Sequence, residues 1–140
     1  MEYKNKMNLK FLSLSENEGF ARLAVASFCS SVNFSIEEIS DIKTAVSEGV
    51  TNAIVHGYDG TIGEIEIECT IFESYVEIII KDKGKGIENL KDALTPFFTT
   101  KPDKERSGMG FTVMEGFMDR MEVESKKDEG TIVKLIKNIK

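Results

Sequence analysis

The strongest constraint on the fold is the strict alternation of apolar and charged residues from Glu64 to Thr70. Ile65, Ile67 and Cys69 fall on one side of an extended chain, and three glutamates fall on the other. This pattern predicts a strand with one buried and one solvated face, which is typical of antiparallel sheets. The same period of two predicts further strands at residues 7–13, 75–81, 121–126 and 131–139.

Three other segments place apolar residues at helical spacing and so predict the layer that covers the sheet. Two of them begin with the Ser-x-x-Glu pattern of a capping box, at Ser15 and Ser35. A shorter helix is expected at residues 88–94. The predicted inner faces consist of Phe20, Leu23, Ala24, Ser27 and Phe28 in the first helix, Ile39, Ile42, Val46, Val50, Ala53 and Ile54 in the second, and Phe111, Met114, Phe117 and Met118 in the last.

The order of these elements predicts one domain that spans residues 1–140. The expected fold is an α/β (α+β) two-layer sandwich, with a mixed, mostly antiparallel sheet and the helices on one face. Residues 95–107 contain both prolines and show no clear period. We expect a long loop there, of the kind that serves as a lid.

Charge and composition exclude several classes of function. The net charge is −6 and no basic stripe with interleaved aromatic residues is present, so direct nucleic-acid binding is not expected. No run of 18 apolar residues predicts a membrane span, and the N-terminus leads into a strand rather than a signal peptide. Cys29 and Cys69 lie in apolar patterns without metal-ligand spacing, which favours reduced core cysteines in a cytoplasmic protein.

The second helix carries a polar stripe of Glu48, Asn52 and His56, each four residues apart. Gly49 lies beside this stripe. Because a glycine costs a helix roughly 1 kcal/mol relative to alanine, we expect something to approach the backbone closely there. A carboxylate and a carboxamide one turn apart suit a metal-bound phosphate. A solvated helix face with a chance glycine explains the same residues, and this segment alone leaves both interpretations open.

Two glycine-rich segments follow. Asp82, Gly84 and Gly86 form a D-x-G-x-G pattern at the end of a predicted strand. The aspartate suits an exocyclic amine as its hydrogen-bond partner, or else it caps its own turn. Gly108 and Gly110 stand where a loop meets a helix start, and the unpaired amides of a helix N-terminus form an anion site. The Walker A spacing is missing, and so are the catalytic motifs of ordinary protein kinases.

The Glu-x-x-x-Asn helix, the D-x-G-x-G segment and the Gly-x-Gly helix start, in this order around a lid, resemble the ATP-binding boxes of the GHKL superfamily. Within it, residues 48–58, 98–111 and 114–119 resemble the bacterial anti-sigma factor serine kinases. The resemblance extends from about Leu9 to the C-terminus. It implies the GHKL (Bergerat) ATP-binding fold, with ATP and Mg²⁺ as ligands and ADP as a product.

The resemblance implies a role for each matching residue. Asn52 would ligate Mg²⁺, and Glu48 would be the general base that deprotonates a serine hydroxyl, an effect typically worth about 10²–10⁴ in rate. Asp82 would bind the adenine amino group, with Gly84 and Gly86 near the base. The remaining nucleotide-binding residues that it implies are Thr99, Thr100, Lys101, Arg106, Ser107, Gly108, Met109, Gly110 and Thr131.

The resemblance also implies a switch protein. A homodimer loaded with ATP would bind a sporulation sigma factor of the sigma F type, and would phosphorylate one serine of a small anti-anti-sigma factor. Arg106 in the lid would bond to the γ-phosphate, so that it acts in catalysis and distinguishes ATP from ADP. Arg22, on the first helix, is the expected partner contact, and a solvated surface arginine is the alternative for this position.

Three alternatives remain at this stage. One is an anti-sigma binding module that uses ATP only as a structural ligand, against which Glu48 argues because holding a nucleotide needs no base. The second is the general-stress anti-sigma kinase relative. The third is a detached sensor-kinase catalytic domain, which needs a helical segment with a phosphoacceptor histidine. The single histidine of the chain, His56, is expected to be structural instead.

Overall fold

The computed structural model describes residues 2–87, Leu90, Leu94 and 110–140. The short helix expected at 88–94 lies largely outside the described residues. The expected lid at 95–107 lies wholly outside them, together with the predicted site residues Thr99, Thr100, Lys101, Arg106, Ser107, Gly108 and Met109. The elements are β1 (Asn5–Leu12), α1 (Asn17–Cys29), α2 (Ile36–Asn52), a π-helical segment (Ala53–Tyr58), β2 (Glu64–Ile71), β3 (Tyr75–Asp82), α3 (Gly110–Phe117), β4 (Arg120–Lys126) and β5 (Gly130–Asn138).

The five strands form one sheet in the order β1-β2-β3-β5-β4. The central strand β3 pairs with β2 and β5, so that Asp82 at its end is opposite Ile65 on one side and Thr131 on the other. Alternate residues of β2 and β3 are buried, and the glutamates of β2 lie on the opposite face. The predicted α+β two-layer sandwich is confirmed, and every pairing among the described strands is antiparallel.

The core lies between the apolar face of the sheet and the three α-helices. From α2 it receives Ile42, Val46 and Val50, each fully buried, as the helical spacing predicts. Burying a side chain of this size contributes roughly 1.5–3 kcal/mol. The sheet and α3 supply Ile65, Ile67, Ile78, Met114 and Leu135 as fully buried partners.

The two cysteines are part of this core. Cys29 and Cys69 are buried free thiols, and burial raises the pKa of Cys29 to about 12 and that of Cys69 further still. Both are therefore neutral and unreactive at physiological pH. Among the described residues, no helix has the length and apolar character that crossing a membrane would require.

The predicted inner face of α1 was wrong except at Phe28, which is partly buried against the core. The buried face is formed by Ala21, Val25 and Cys29, whereas Phe20 is 54% exposed and Leu23 is 57% exposed. Two apolar stripes share this helix, one of small residues and one of large residues. Because α1 packs against α2, the small side chains face inward and allow the two helices to approach each other closely.

The two predicted capping boxes and the predicted inner face of the last helix are confirmed only in part. The capping box at Ser35 is confirmed, because its Oγ accepts from the Glu38 amide at 3.1 Å and the Glu38 carboxylate accepts from the Ser35 amide at 2.9 Å. The capping box at Ser15 was wrong, since the N-cap of α1 is Glu16 and has no side-chain capping bond. The Glu18 carboxylate contacts α2 instead. Met114 in α3 and Met118, directly after this helix, are buried as predicted, but Phe117 is 41% exposed.

Candidate functional site

Glu48 and Asn52 lie one turn apart on α2, as the sequence predicts. After Asn52 the helix widens into the π-helical segment Ala53–Tyr58. A π-turn bonds residue i to i+5, and such turns are frequent at functional sites. His56 lies inside this segment, where the turn is wider than the α-helical turn that its predicted alignment assumes.

Gly49 is where the sequence predicts a close approach, and the approaching group is a core side chain. A Cβ at this position would lie 2.5 Å from Ile80 Cδ1 and 3.4 Å from Met114 Sδ. Its small neighbours Ala45 and Ala53 are buried as well. The small residues therefore let α2 pack onto β3 and α3, and the close approach at Gly49 is made by core side chains.

Asn52 contacts the start of α3. A Cβ on Gly110 would lie 3.0 Å from both Oδ1 and Nδ2 of the Asn52 side chain. With any other residue at this position, the carboxamide would have to shift by a few tenths of an ångström. The end of α2 and the first described turn of α3 thus meet here, so the amides of a helix start lie beside the Asn52 carboxamide.

Asp82 is a buried carboxylate at the end of β3, with 9% of its surface exposed. Its Oδ1 accepts a hydrogen bond from the Gly84 amide at 2.9 Å. Burial raises the pKa of Asp82 to about 6, while the amides of Gly84 and Thr131 act in the opposite direction. At neutral pH the group is a desolvated acceptor, which suits an amine donor of a ligand.

The D-x-G-x-G segment is held between the π-helical segment and the β4–β5 turn. The Lys85 amide donates to the Gly57 carbonyl at 2.8 Å, and a Cβ on Gly84 would overlap that same carbonyl. Gly86 has a φ of +73°, and a Cβ there would overlap the carbonyl of Lys126. Both glycines are thus required by the backbone that surrounds Asp82.

Gly57 and Tyr58 fix the other side of Asp82. A Cβ on Gly57 would lie 2.9 Å from Asp82 Oδ1, so the π-helical segment lies directly against the carboxylate. The Tyr58 hydroxyl donates to the Glu64 carbonyl and accepts from the Lys83 amide at 2.9 Å. These contacts explain the desolvation of Asp82, because protein atoms cover it from two elements.

Thr131 lies next to Asp82 and has a partner that the sequence analysis missed. Thr131 on β5 is opposite Asp82 on β3 and opposite Ser125 on β4. Its Oγ1 is 2.7 Å from the Ser125 hydroxyl. A signal for Ser125 is present in the sequence, because Met121 and Val123 define an inward alternation that Ser125 continues with a polar side chain.

Arg22 is held beside α2 rather than free in solvent. Its Nη1 is 3.6 Å from Glu18 Oε2, and the same carboxylate oxygen accepts a hydrogen bond from the Ser47 hydroxyl at 2.8 Å. Its Nε is buried and has no hydrogen-bond partner within the described part of the chain. This network links Arg22 of α1 to Ser47 of α2 through the Glu18 carboxylate.

Acidic, thiol and imidazole side chains of the described residues form no metal-binding cluster. In residues 2–87 and 110–140, together with Leu90 and Leu94, no group of three or more His, Cys, Asp or Glu is arranged to hold an ion. A cation at Asn52 would take most of its ligands from a bound molecule and from water. That donor set fits Mg²⁺ chelated by phosphates.

Comparisons with known proteins give a family match and several similar relatives. Residues 12–137 match the family model of the histidine kinase-like ATPase domain. The chain is 56% identical over 137 residues to the anti-sigma F factor of Clostridium novyi (strain NT), a match that covers 97% of this chain and 96% of that protein. It is 54% identical over 139 residues to the anti-sigma F factor of Caldanaerobacter subterraneus subsp. tengcongensis, with 99% and 97% covered.

Proposed function

The chain belongs to the anti-sigma F factor family and carries a histidine kinase-like ATPase domain, and on that premise we propose that it is an ATP-dependent serine kinase that also binds a sigma factor. The observation that carries the proposal is the buried Asp82 carboxylate, held as an acceptor beside Thr131. The Asn52 side chain lies against the first turn of α3, and these two groups form the proposed phosphate-binding part of the site.

The two ends of the site suit the two ends of a nucleotide. Asp82 accepts from the amino group of adenine, and Thr131 lies beside the base. Asn52 provides a side-chain oxygen for Mg²⁺, and the amides at Gly110 face the phosphates. When bound, Mg²⁺ neutralises phosphate charge as it develops in the reaction.

Glu48 is the proposed base. It accepts the proton of the substrate serine as the serine oxygen bonds to the γ-phosphorus, and ADP leaves. The Arg106 side chain, which lies outside the described residues, would stabilise the γ-phosphate charge and complete the catalytic pair. Because a ligand-holding site needs no carboxylate one turn before Asn52, Glu48 favours the kinase over the non-catalytic anti-sigma module.

The proposed partners are a sigma F-like sigma factor and an anti-anti-sigma factor that is the protein substrate, with the chain acting as a cytoplasmic homodimer. Arg22 is the proposed partner contact. Its side chain is 38% exposed, and Phe20 and Leu23 are exposed on the same helix. A cation flanked by exposed apolar side chains is a typical interface composition. The names of the relatives favour the sigma F type over the general-stress relative.

Transfer from γ-labelled ATP to a candidate anti-anti-sigma factor tests the kinase directly. We expect Glu48→Gln to retain ATP binding and to lose about 10²–10⁴ in transfer rate. Glu37→Gln, which changes an exposed glutamate of the same helix, is the matched control and should transfer at the parental rate. Parental transfer by Glu48→Gln would show that Glu48 is not the base. A parent that binds ATP and sigma factor without transfer would support the binding module.

A further inference from the structure

Three neighbouring polar side chains lie in one row at the edge of the apolar face of the sheet. Asp82, Thr131 and Ser125 are directly opposite one another across β3, β5 and β4, so their side chains point to the same face. Their next neighbours along the three strands on that face, Ile80, Val133 and Val123, are apolar. Polar groups at core positions need hydrogen-bond partners. The partners of Ser125 determine whether the Thr131 hydroxyl donates or accepts a hydrogen bond.

The Ser125 hydroxyl has three polar neighbours. It accepts from the Ile87 amide at 2.7 Å, donates to the Gly130 carbonyl at 3.1 Å, and is 2.7 Å from Thr131 Oγ1. A hydroxyl has one proton and two lone pairs. When the Ser125 proton goes to Gly130, the proton of the Ser125–Thr131 bond comes from Thr131. This arrangement makes all three bonds, whereas donation from Ser125 to Thr131 gives up the bond to Gly130.

We propose that Ser125 is a specificity-determining positioning residue. It accepts a hydrogen bond from the Thr131 hydroxyl, so that Thr131 can act only as a hydrogen-bond acceptor toward a nucleotide. The inference rests on the proposed nucleotide site. Ionised Asp82 is also only an acceptor. The row therefore presents two neighbouring acceptors, which favour a base with an exocyclic amino group, because that group has two N–H donors. A base with a carbonyl oxygen at the same place meets two acceptors and is rejected.

Binding of ATP and of inosine triphosphate, which has an oxygen in place of the amino group, tests this role. The measured quantity is the ratio of the two dissociation constants. In Ser125→Ala the Thr131 hydroxyl is free to turn and donate to that oxygen, so we expect the preference for ATP to fall about three- to tenfold, the value of one hydrogen bond. Ser125→Thr retains the hydroxyl and should retain the parental ratio.

A purely structural role gives a different result. If Ser125 only holds the Ile87 amide, Ser125→Ala should weaken the binding of ATP and of inosine triphosphate by the same factor. An unchanged ratio of the two dissociation constants in Ser125→Ala would therefore overturn the proposal. If Ser125→Ala does not fold, Ser125→Cys provides the same comparison, because a thiol has similar volume but hydrogen-bonds weakly. Failure of the parental protein to bind ATP at all would refute the proposed nucleotide site itself, a separate and distinguishable outcome.

Discussion

Replacing Asp82 by asparagine should weaken nucleotide binding and, at neutral pH, stabilise the ligand-free protein. The carboxylate is 9% exposed, and burial raises its pKa from 3.8 to about 6. Ionisation therefore costs the folded state free energy that the unfolded state does not lose. Asparagine has nearly the same shape and no charge, so it removes this cost.

The size of the effect follows from the pKa shift. A shift of about two units corresponds to about 3 kcal/mol, at roughly 1.4 kcal/mol per unit. Well below the ordinary pKa of 3.8 the carboxyl is neutral in both the folded and the unfolded state, and its contribution to stability is fully present. As the pH rises through about 6 this contribution is lost. The free energy of unfolding of Asp82→Asn, relative to the parent, should thus increase by up to about 3 kcal/mol between pH 4 and pH 7.

Urea denaturation of both proteins at several pH values between 4 and 7 measures this difference. Asp128→Asn, which changes an exposed aspartate in the β4–β5 turn, is the control and should follow the parent across the range. A stability difference between Asp82→Asn and the parent that does not vary with pH would refute the reasoning, because it would mean that Asp82 does not titrate in this window.

Nucleotide binding should respond in the opposite direction. A hydrogen bond to a charged acceptor contributes about 1.5–3 kcal/mol, so Asp82→Asn should bind ATP about ten- to 150-fold more weakly. Parental affinity should also fall as the pH drops below about 6, where the carboxylate is protonated. Calorimetric titration measures both effects, and the variant supplies the pH dependence of the nucleotide alone. Equal ATP affinities of Asp82→Asn and the parent would show that the adenine does not bind at Asp82.

Two further changes test how the site is supported. Gly86→Ala should destabilise the fold strongly, because a Cβ there would overlap the Lys126 carbonyl at the end of β4. Gly60→Ala, which has a φ of +86° but open space around it, should have only the cost of its backbone conformation, and equal losses in thermal unfolding would refute the steric argument. Lys137 is 8% exposed and donates to the last carbonyl of α3 at 2.7 Å, so Lys137→Met should lower the free energy of unfolding by about 1–3 kcal/mol. Lys134→Met, which loses a surface ion pair, should change it by less than about 1 kcal/mol, and urea denaturation that finds both lysines alike would contradict the claim.

Local patterns were sufficient to predict most of the fold. Alternation in Glu64–Ile71 and Tyr75–Asp82 predicts strands because one face of each is buried. The capping box at Ser35 predicts the start of α2 because its two partners are only three residues apart. Such signals act within one turn or along one strand, so they can be read without knowledge of the rest of the chain.

The errors arose where a distant element decides the local structure. In α1, Phe20 and Leu23 form an apolar stripe that faces outward because the small stripe of the same helix packs against α2. The Ser15 capping box is replaced because Glu18 binds Ser47, 29 residues away in sequence. The role of Ser125 depends on its hydrogen bonds to Thr131 and Ile87. No local pattern contains these partners.

A crystal structure with Mg²⁺ and a non-hydrolysable ATP analogue tests the central claim most directly. The proposed site predicts the adenine amino group on the Asp82 carboxylate, the metal on Asn52 and the phosphates at the first turn of α3. A base bound elsewhere, or a surface around Asp82 and Asn52 filled by side chains of the protein itself, would contradict it.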